Sequence, residues 1–165
     1  MSSRLFQVLI AIVVLAGVSF FWWNSRAEQK VSRQADAFLD QIRFERLSLK
    51  TEKDREEALA TIMSESLQVS GDEPIPRLTL SPDEFLEKLT ELHGYLSILK
   101  IEETVDRQIT VADDTANVII EAAITGAAGK GNSRTMNWTL TLTFEKSDRW
   151  RLTKFHGTTP TPLKV

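Results

Sequence analysis

The apolar residues of this chain change their spacing at Gly94, from a helical to a strand period. Before Gly94 they recur every three or four residues, as on one face of a helix. After Gly94 they alternate with polar residues, as in a sheet with one buried face. Because the helices precede the strands instead of alternating with them, the order predicts an α+β domain, with its helices packed on one side of a curved antiparallel sheet.

Helical spacing before Gly94 predicts three helices. The first presents one apolar stripe, formed by Val31, Ala35, Phe38, Leu39, Ile42 and Leu49. Asp36 and Asp40 lie one turn apart between these residues, and we expect them on a solvated charged face. The second helix begins at Thr51, whose side chain can cap free backbone amides ahead of Asp54. Its buried residues are expected to be Leu59, Ile62 and Met63.

The third helix has the most complete set of start and stop signals. Ser81 is expected to be its N-cap, Pro82 to occupy the first helical position, and Glu84 to complete a capping box. Gly94 is expected to end the helix in a left-handed conformation. The preceding segment VSGDEPIPR, residues 69–77, is predicted to be a loop because its glycine and prolines interrupt a helix.

The alternation after Gly94 predicts three to four strands. Polar turns at residues 112–115 and 146–149 separate them, and the Gly-rich segment 126–134 joins the two longest. The residues of inward parity on the hairpin strands are Ala116, Val118, Ile120, Ala122, Ile124, Met136, Trp138, Leu140, Leu142, Phe144, Trp150 and Leu152. All of them are apolar. We therefore expect an interior without an acid, base or nucleophile, which argues against an enzyme.

The N-terminal run from Leu5 to Trp23 has no charged residue and approaches the roughly 20 apolar residues that a membrane-spanning helix needs. It ends in two tryptophans, which favour the membrane interface. We predict an uncleaved anchor within residues 1–26, a folded domain over 27–157 and a loose tail over 158–165. Residues 25–27 loosely fit a signal-peptidase site, so cleavage stays open.

Two signals in the sequence bear on the orientation in the membrane, and they oppose each other. Arg26, Lys30 and Arg33 come after the run and favour a cytoplasmic C-terminal part. The short N-terminal tail, however, is typical of a signal anchor that exports the domain behind it. We expect a single-pass membrane protein whose C-terminal domain is extracytoplasmic.

Composition excludes several kinds of site. The net charge is -3, which does not suit a nucleic-acid binder. Cysteine is absent, so disulfides, thiol nucleophiles and cysteine-bound metals are excluded. We predict neither a metal nor a cofactor. The loop GAAGKGNS departs from the phosphate-loop spacing, and its Lys130 and Arg134 are instead available to an acidic partner or lipid headgroups.

The order of helices, capped helix and final hairpin WTLTLTFEKSDRWRLTKFHG resembles the nuclear transport factor 2-like superfamily, which includes ketosteroid isomerase-like and SnoaL-like proteins. The resemblance covers roughly residues 28–157. It implies a cone-shaped fold with a pocket between helices and sheet, and often a dimer through the outer sheet face. It implies no particular reaction.

The anchor adds a second resemblance. An anchor followed by such a domain also resembles the single-span assembly component of type IV secretion systems and membrane proteins of mycobacterial lipid-uptake complexes. The Asn-Pro-x-Gly motif of the secretion component is missing here. Only the architecture is therefore carried over.

The candidate ligand-binding residues are Phe38, Phe85, Tyr95, Glu103, Trp138 and Trp150. The aromatic residues could wall a pocket or simply fill the core. Glu103 could be a buried base, or a bulge could return it to water. Tyr95 could donate to an oxyanion, or pack its ring and expose its hydroxyl. His93 is expected to bind free carbonyls at the end of its own helix. His156 continues the parity of Trp150, but it lies at the end of its strand, where we expect it to be exposed.

These observations favour a membrane-anchored, non-enzymatic binding or assembly module of the bacterial cell envelope. It would act through a protein partner or as a homodimer. The alternatives are a small-molecule enzyme of the isomerase or cyclase type, and a passive binder of an apolar ligand in the cone pocket.

Overall fold

In the part of the chain that the structure describes, three helices and an eight-stranded sheet form an α+β domain. The computed structural model of the 165-residue chain describes residues 13, 25–45, 51–72, 76–129, 131 and 133–159. The predicted anchor, Leu5 to Trp23, lies outside the described residues except for residue 13, and so do residues 160–165 of the tail. Within the described ranges, no helix combines the length and apolar character needed to cross a bilayer.

The three helices begin much as the sequence predicts. Described residues 25–42 are helical and are named α1, α2 covers Glu52–Ile62, and α3 covers Pro82–Tyr95. The predicted capping box at Ser81 and the predicted cap at Thr51 are confirmed, and Thr51 also forms a capping box with Asp54. The amide of Asp54 lies 3.2 Å from Thr51 Oγ1, and the amide of Glu84 lies 3.2 Å from Ser81 Oγ. The reciprocal hydrogen bonds lower the pKa of both acidic side chains.

The sequence predicts that α3 ends at Gly94 in a left-handed conformation, and both the position and the conformation of this end are wrong. Gly94 lies inside the helix, which continues to Tyr95. Leu96 is the cap, in an extended conformation, and its amide bonds the carbonyl of Leu92 at 3.0 Å. Because the chain enters a strand two residues later, at Ile98, it needs no left-handed residue to leave the helix.

The prediction of three to four strands is too low. The strands are β1 Phe44–Glu45, β2 Met63–Gly71, β3 Leu78–Leu80, β4 Ile98–Glu103, β5 Gln108–Ala112, β6 Thr115–Ala127, β7 Arg134–Lys146 and β8 Trp150–Thr158. Their order across the sheet is β1-β4-β6-β7-β8-β2-β3, and β5 also pairs with β6. All neighbours are antiparallel except β2 and β8, which run parallel.

Strand β2 is the longest of the strands that the sequence pattern misses. The sequence pattern predicts Met63 in α2 and residues 69–77 in a loop, but β2 begins at Met63 and continues to Gly71. The strand is stabilised by pairing with β8, more than 80 residues away in the chain. Such a partner leaves little trace in the local pattern of a polar segment such as SESLQ.

The inward residues predicted for the hairpin strands form the core. Most of them are buried: Ala116, Val118, Ile120, Ala122, Leu140, Leu142, Phe144, Trp150 and Leu152. Ile124 and Trp138 are half-buried. Met136 differs, since 53% of it is exposed. It lies at the loop end of the β6–β7 hairpin, where the inner face opens into a cleft.

A bulge at Thr153 reverses the parity of β8. Leu152 pairs with Phe144 but Lys154 pairs with Thr143, so Thr153 has no partner of its own. Beyond the bulge, Phe155 faces inward. His156, which shares the parity of Trp150 in the sequence, therefore faces outward and is half-buried.

Candidate functional site

An apolar cleft lies between α3, strands β2 and β3, and the inner face of the sheet. It has two lobes, which share Val69, Leu99, Ile124, Leu140 and Phe155 as a common wall. The helix lobe, beside α3, has a volume of about 320 Å³. The loop lobe, beside the Gly-rich β6–β7 loop, has a volume of about 570 Å³. Both volumes are in the range of small-molecule sites.

The helix lobe is formed by one face of α3 and the short strand β3. Its further lining residues are Ile42, Leu78, Leu80, Phe85, Lys88, Leu89, Leu92 and Ile101. The spacing of Phe85, Leu89 and Leu92 places them on one face of the helix. The same apolar stripe that packs α3 onto the sheet therefore also lines this lobe.

The loop lobe lies farther along the inner face, where β6 and β7 approach their connecting loop. Its further lining residues are Ser70, Leu96, Gly126, Ala128, Arg134, Met136, Trp138 and Gly157. The ring of Trp138 packs closely on the backbone of Gly157. A Cβ atom at residue 157 would lie 3.3 Å from Trp138 Cε3, so a glycine there gives the ring its room.

Few polar groups line the cleft. Lys88 pairs with Glu91 at 3.0 Å, and the hydrogen bond and charge of Glu91 raise the pKa of Lys88. Arg134 forms no hydrogen bond or ion pair of its side chain with the part of the chain that the structure describes. Ser70 also belongs to the lining, but its Oγ lies 2.8 Å from the Nδ1 atom of His156, which faces outward and lines neither lobe. The rest of the lining is aliphatic or aromatic, apart from backbone at the glycines and alanine.

The structure brings two of the six predicted site residues into the cleft. Phe85 lines the helix lobe and Trp138 the loop lobe. Phe38 is fully buried behind them, with its ring centroid 5.6 Å from those of Phe85 and Phe155. Trp150 is buried in the core and lines neither lobe. Phe38 and Trp150 thus fill the core, in agreement with one of the two interpretations of the sequence.

Tyr95 and Glu103 do not reach the cleft. Tyr95 is 78% exposed, because the last turn of α3 extends beyond the sheet-facing stripe. Glu103 ends β4, where Arg107 binds both of its carboxylate oxygens. The same guanidinium reaches Asp36 on α1, at 2.6 Å. An isomerase-type reaction that uses Tyr95 or Glu103 inside the pocket is therefore not supported by their positions.

Arg107 joins the β4–β5 connection to α1. Besides the two carboxylates, its Nη1 donates to the carbonyl and hydroxyl oxygens of Ser32, at 3.2 and 3.3 Å. Burial alone would lower the pKa of Arg107, but the hydrogen bonds and charges of Glu103 and Asp36 outweigh it and raise the pKa. The carboxylates of this region are thus committed to a structural contact.

A second polar cluster lies where the ends of the helices meet. Arg55 is only 7% exposed, and its Nη1 donates to the carbonyl of Gln41 at 3.3 Å. The same Nη1 lies 3.0 Å from His93 Nδ1, while His93 Nε2 lies 3.3 Å from the carbonyl of Ile42. His93 therefore binds the end of α1, not the end of its own helix. Its ring also stacks on Phe44, with centroids 4.2 Å apart.

The sequence reasoning missed Arg55. The signal that could have found it is its spacing, because Arg55, Leu59 and Ile62 recur at helical intervals on one face of α2, and all three are buried. Burial lowers the pKa of Arg55. It also lowers the pKa of His93, and the nearby charge of Arg55 adds to that effect against the opposing hydrogen bond of Ile42. The enclosed layer thus holds titratable groups that the strand pattern did not reveal.

Comparison with known proteins identifies the fold. No protein-family model matches this chain, and no curated protein matches it. Among solved structures, an NTF2-like superfamily protein from Salmonella enterica serovar Typhimurium has a TM-score of 0.67 at 14% identity. The match covers 86% of this chain and 96% of that one.

Two further solved structures have names that mention an activity. A candidate dehydratase of the NTF2-like family from Streptomyces avermitilis has a TM-score of 0.65 at 16% identity, covering 82% of this chain and 98% of that one. A candidate scytalone dehydratase from Novosphingobium aromaticivorans has a TM-score of 0.64 at 16% identity, covering 84% and 87%. At these identities the similarity shows the fold, and the expected NTF2-like fold is confirmed.

Proposed function

We propose that this domain is a non-enzymatic module that binds an apolar small molecule in the cleft. The observation that carries the proposal is the lining itself, which is aliphatic and aromatic on the helix, strand and loop sides. Three large apolar residues of this lining stay partly exposed: Leu78 at 39%, Leu92 at 40% and Met136 at 53%. A ligand that covered them would gain about 25 cal/mol for each Å² of apolar surface removed from water.

The predicted anchor would give this module a place of action. Leu5 to Trp23 lies outside the described residues apart from residue 13, so the tether rests on the sequence pattern. In this proposal it holds the cleft close to a membrane of the cell envelope, where apolar molecules concentrate. Protease protection of the full chain with terminal tags tests it: loss of both tags to external protease would contradict a membrane-spanning tether.

A partner on the outer sheet face is a separate part of the envelope proposal. This face carries threonines along β7 and the exposed Ile119, which suits contact with a second copy or an envelope protein. Crosslinking in membranes is expected to capture such a neighbour. A strictly monomeric chain without a crosslinked neighbour would remove this part and leave the cleft proposal standing.

A substitution that fills the cleft tests whether a ligand binds there. Ile124 lies in the wall shared by both lobes, whereas Ile119 lies on the same strand but on the opposite face. Ile124→Trp is expected to fill the cleft, and Ile119→Trp is its matched control. The probe is a long-chain alcohol that carries a photoreactive diazirine, added to the full chain in phosphatidylcholine vesicles.

The expected result is covalent labelling of the segments that line the cleft, detected by peptide mass spectrometry. Ile124→Trp should lose most of this labelling, while Ile119→Trp should keep it. Native mass spectrometry of gently extracted protein should also detect a bound small molecule in the wild type. Equal labelling in both variants would show that the probe binds elsewhere, and the proposal would be abandoned.

A dehydratase-type enzyme is the second candidate, favoured by one observation. Ser70 Oγ lies 2.8 Å from His156 Nδ1, a pair that can move a proton, and both residues line a separate cavity of about 580 Å³ beside β2 and β3. Two structurally similar proteins are also named as candidate dehydratases. This candidate requires turnover that Ser70→Ala and His156→Gln each abolish without unfolding the domain. Binding that survives both changes, without turnover, favours the non-enzymatic module.

A further inference from the structure

Arg134 makes the two lobes of the cleft electrostatically different. It is the first residue of β7, directly after the Gly-rich loop, and it lines the loop lobe beside Met136 and Trp138. Its side chain is exposed, and no hydrogen bond or ion pair commits it to any other described residue. Its guanidinium is therefore available to a ligand in the loop lobe.

Lys88, the positively charged residue that lines the helix lobe, differs from Arg134 because it has an ion-pair partner. Lys88 is already paired with Glu91, so its charge is partly neutralised. None of the described residues that line either lobe is an aspartate or glutamate. The loop lobe thus combines an apolar wall with one uncommitted positive charge, and a negative group placed there meets no carboxylate in the lining.

We propose that the cleft binds a single-chain anionic amphiphile, with its phosphate or carboxylate group at Arg134 and its hydrocarbon chain along the shared wall. The inference rests on the proposed function. It adds the chemical class of the ligand and the orientation of the ligand in the cleft. A guanidinium can form two parallel hydrogen bonds with a phosphate or carboxylate, which an ammonium group cannot. The chain would run from the loop lobe past Leu140 and Phe155 toward Phe85.

The test compares probes that differ only in the head group. Three diazirine probes of equal chain length, an alkyl phosphate, an alkyl carboxylate and the alcohol, are added to the full chain in phosphatidylcholine vesicles. Arg134→Gln is expected to reduce labelling of the cleft by the phosphate and carboxylate probes roughly tenfold, and to leave labelling by the alcohol unchanged. Arg134→Lys should restore part of the loss.

A matched control removes a charge elsewhere. Lys154 is exposed on the outer sheet face, where it pairs in register with Thr143 and Gln68. Lys154→Gln changes the net charge by the same amount as Arg134→Gln, and it should leave all three probes unaffected. A general loss of vesicle attraction would instead affect both variants alike.

The outcomes separate this inference from the proposed function. If all three probes label the cleft and Arg134→Gln changes none of them, the head-group site is wrong while apolar binding stands. If no probe labels the cleft, apolar binding itself is wrong. Inorganic phosphate without a chain is included as a competitor. If it displaces the phosphate probe at equal concentration, Arg134 belongs to a free-anion site and the amphiphile proposal is overturned.

Discussion

Arg55 Nη1 lies 3.0 Å from His93 Nδ1, at the point where the three helices meet. An arginine can only donate, so His93 Nδ1 must accept. The other ring nitrogen then carries the proton and donates to the carbonyl of Ile42, 3.3 Å away. A neutral imidazole thus links α1, α2 and α3, and a protonated one would point an N–H group at a guanidinium.

We expect this contact to make stability depend on pH. Burial and the charge of Arg55 hold the pKa of His93 below its ordinary value of 6.5. As the pH falls below 6.5, the unfolded chain binds a proton that the folded chain still rejects. The contribution of this contact to the free energy of unfolding should therefore be complete above pH 6.5. It should decrease as the pH falls toward the pKa that His93 has in the folded protein. Urea denaturation at a series of pH values between about 7.5 and 5.5 measures it.

A non-titrating replacement isolates the effect. Glutamine can accept from Arg55 and donate to Ile42 without binding a proton. His93→Gln should flatten the decrease in this pH interval, whereas His156→Gln, at a residue bound to Ser70, should leave the decrease in place. An unchanged slope in His93→Gln would assign the pH dependence to other groups.

Arg107 is expected to stabilise the packing of α1 against the β4–β5 connection. Its side chain is 16% exposed and binds Glu103, Asp36 and Ser32. Arg107→Ala should lower the free energy of unfolding by about 1–2 kcal/mol, because it leaves a partly buried carboxylate without its partner. Arg107→Lys should recover only part of the loss, since lysine lacks the forked geometry.

Double-mutant cycles compare how strongly Arg107 couples to each of its two carboxylate partners. The side chain of Glu103 is 23% exposed, and that of Asp36 is 54% exposed. Water screens the second pair more, so Arg107 should couple more strongly to Glu103 than to Asp36. Equal couplings measured with Glu103→Gln and Asp36→Asn would contradict this order.

The N-cap of α3 should contribute about 1 kcal/mol to the free energy of unfolding. Ser81 and Glu84 exchange hydrogen bonds at 3.2 and 2.8 Å. Ser81→Ala leaves an amide of the first turn without its acceptor and should lower the free energy of unfolding by about that amount. Thr90→Ala, at an exposed position in the middle of the same helix, should be neutral or slightly stabilising in the same chemical denaturation.

The features that could be predicted from the sequence depend on neighbours in the chain. The caps at Thr51 and Ser81, the turn at residues 112–115 and the inward parity of β6 each arise within a few residues. Two of the strands that the sequence pattern does not reveal depend on distant partners. Short β1 pairs with β4, and β2 gains its place beside β8 although its own sequence is largely polar.

The candidate site shows the same division. Phe85 and Trp138 could be found because an apolar stripe places them on the inner side. The parity of Glu103 could not reveal that Arg107, four residues later, would bind it. The bulge at Thr153 turns Phe155 inward and His156 outward, although the local alternation indicates the reverse. Positions after a bulge cannot be assigned to a face from spacing alone.

Gly157 should control the width of the loop lobe. A Cβ atom at residue 157 would lie 3.3 Å from Trp138 Cε3 and 3.6 Å from Leu140 Cδ2. Gly157→Val should therefore push the indole toward the cleft, lower the free energy of unfolding by about 1–3 kcal/mol and reduce labelling by the long-chain alcohol. Denaturation and photolabelling of the same samples measure both effects.

Gly126 provides the comparison within the same lobe. A Cβ atom there would lie 3.9 Å from Leu96 Cδ2, an ordinary contact, so Gly126→Ala should keep both stability and labelling. If the alcohol probe labels Gly157→Val as strongly as Gly126→Ala, although Gly157→Val is less stable, the indole can move without closing the lobe. The ligand would then have to lie nearer the helix lobe, on the side of Phe85.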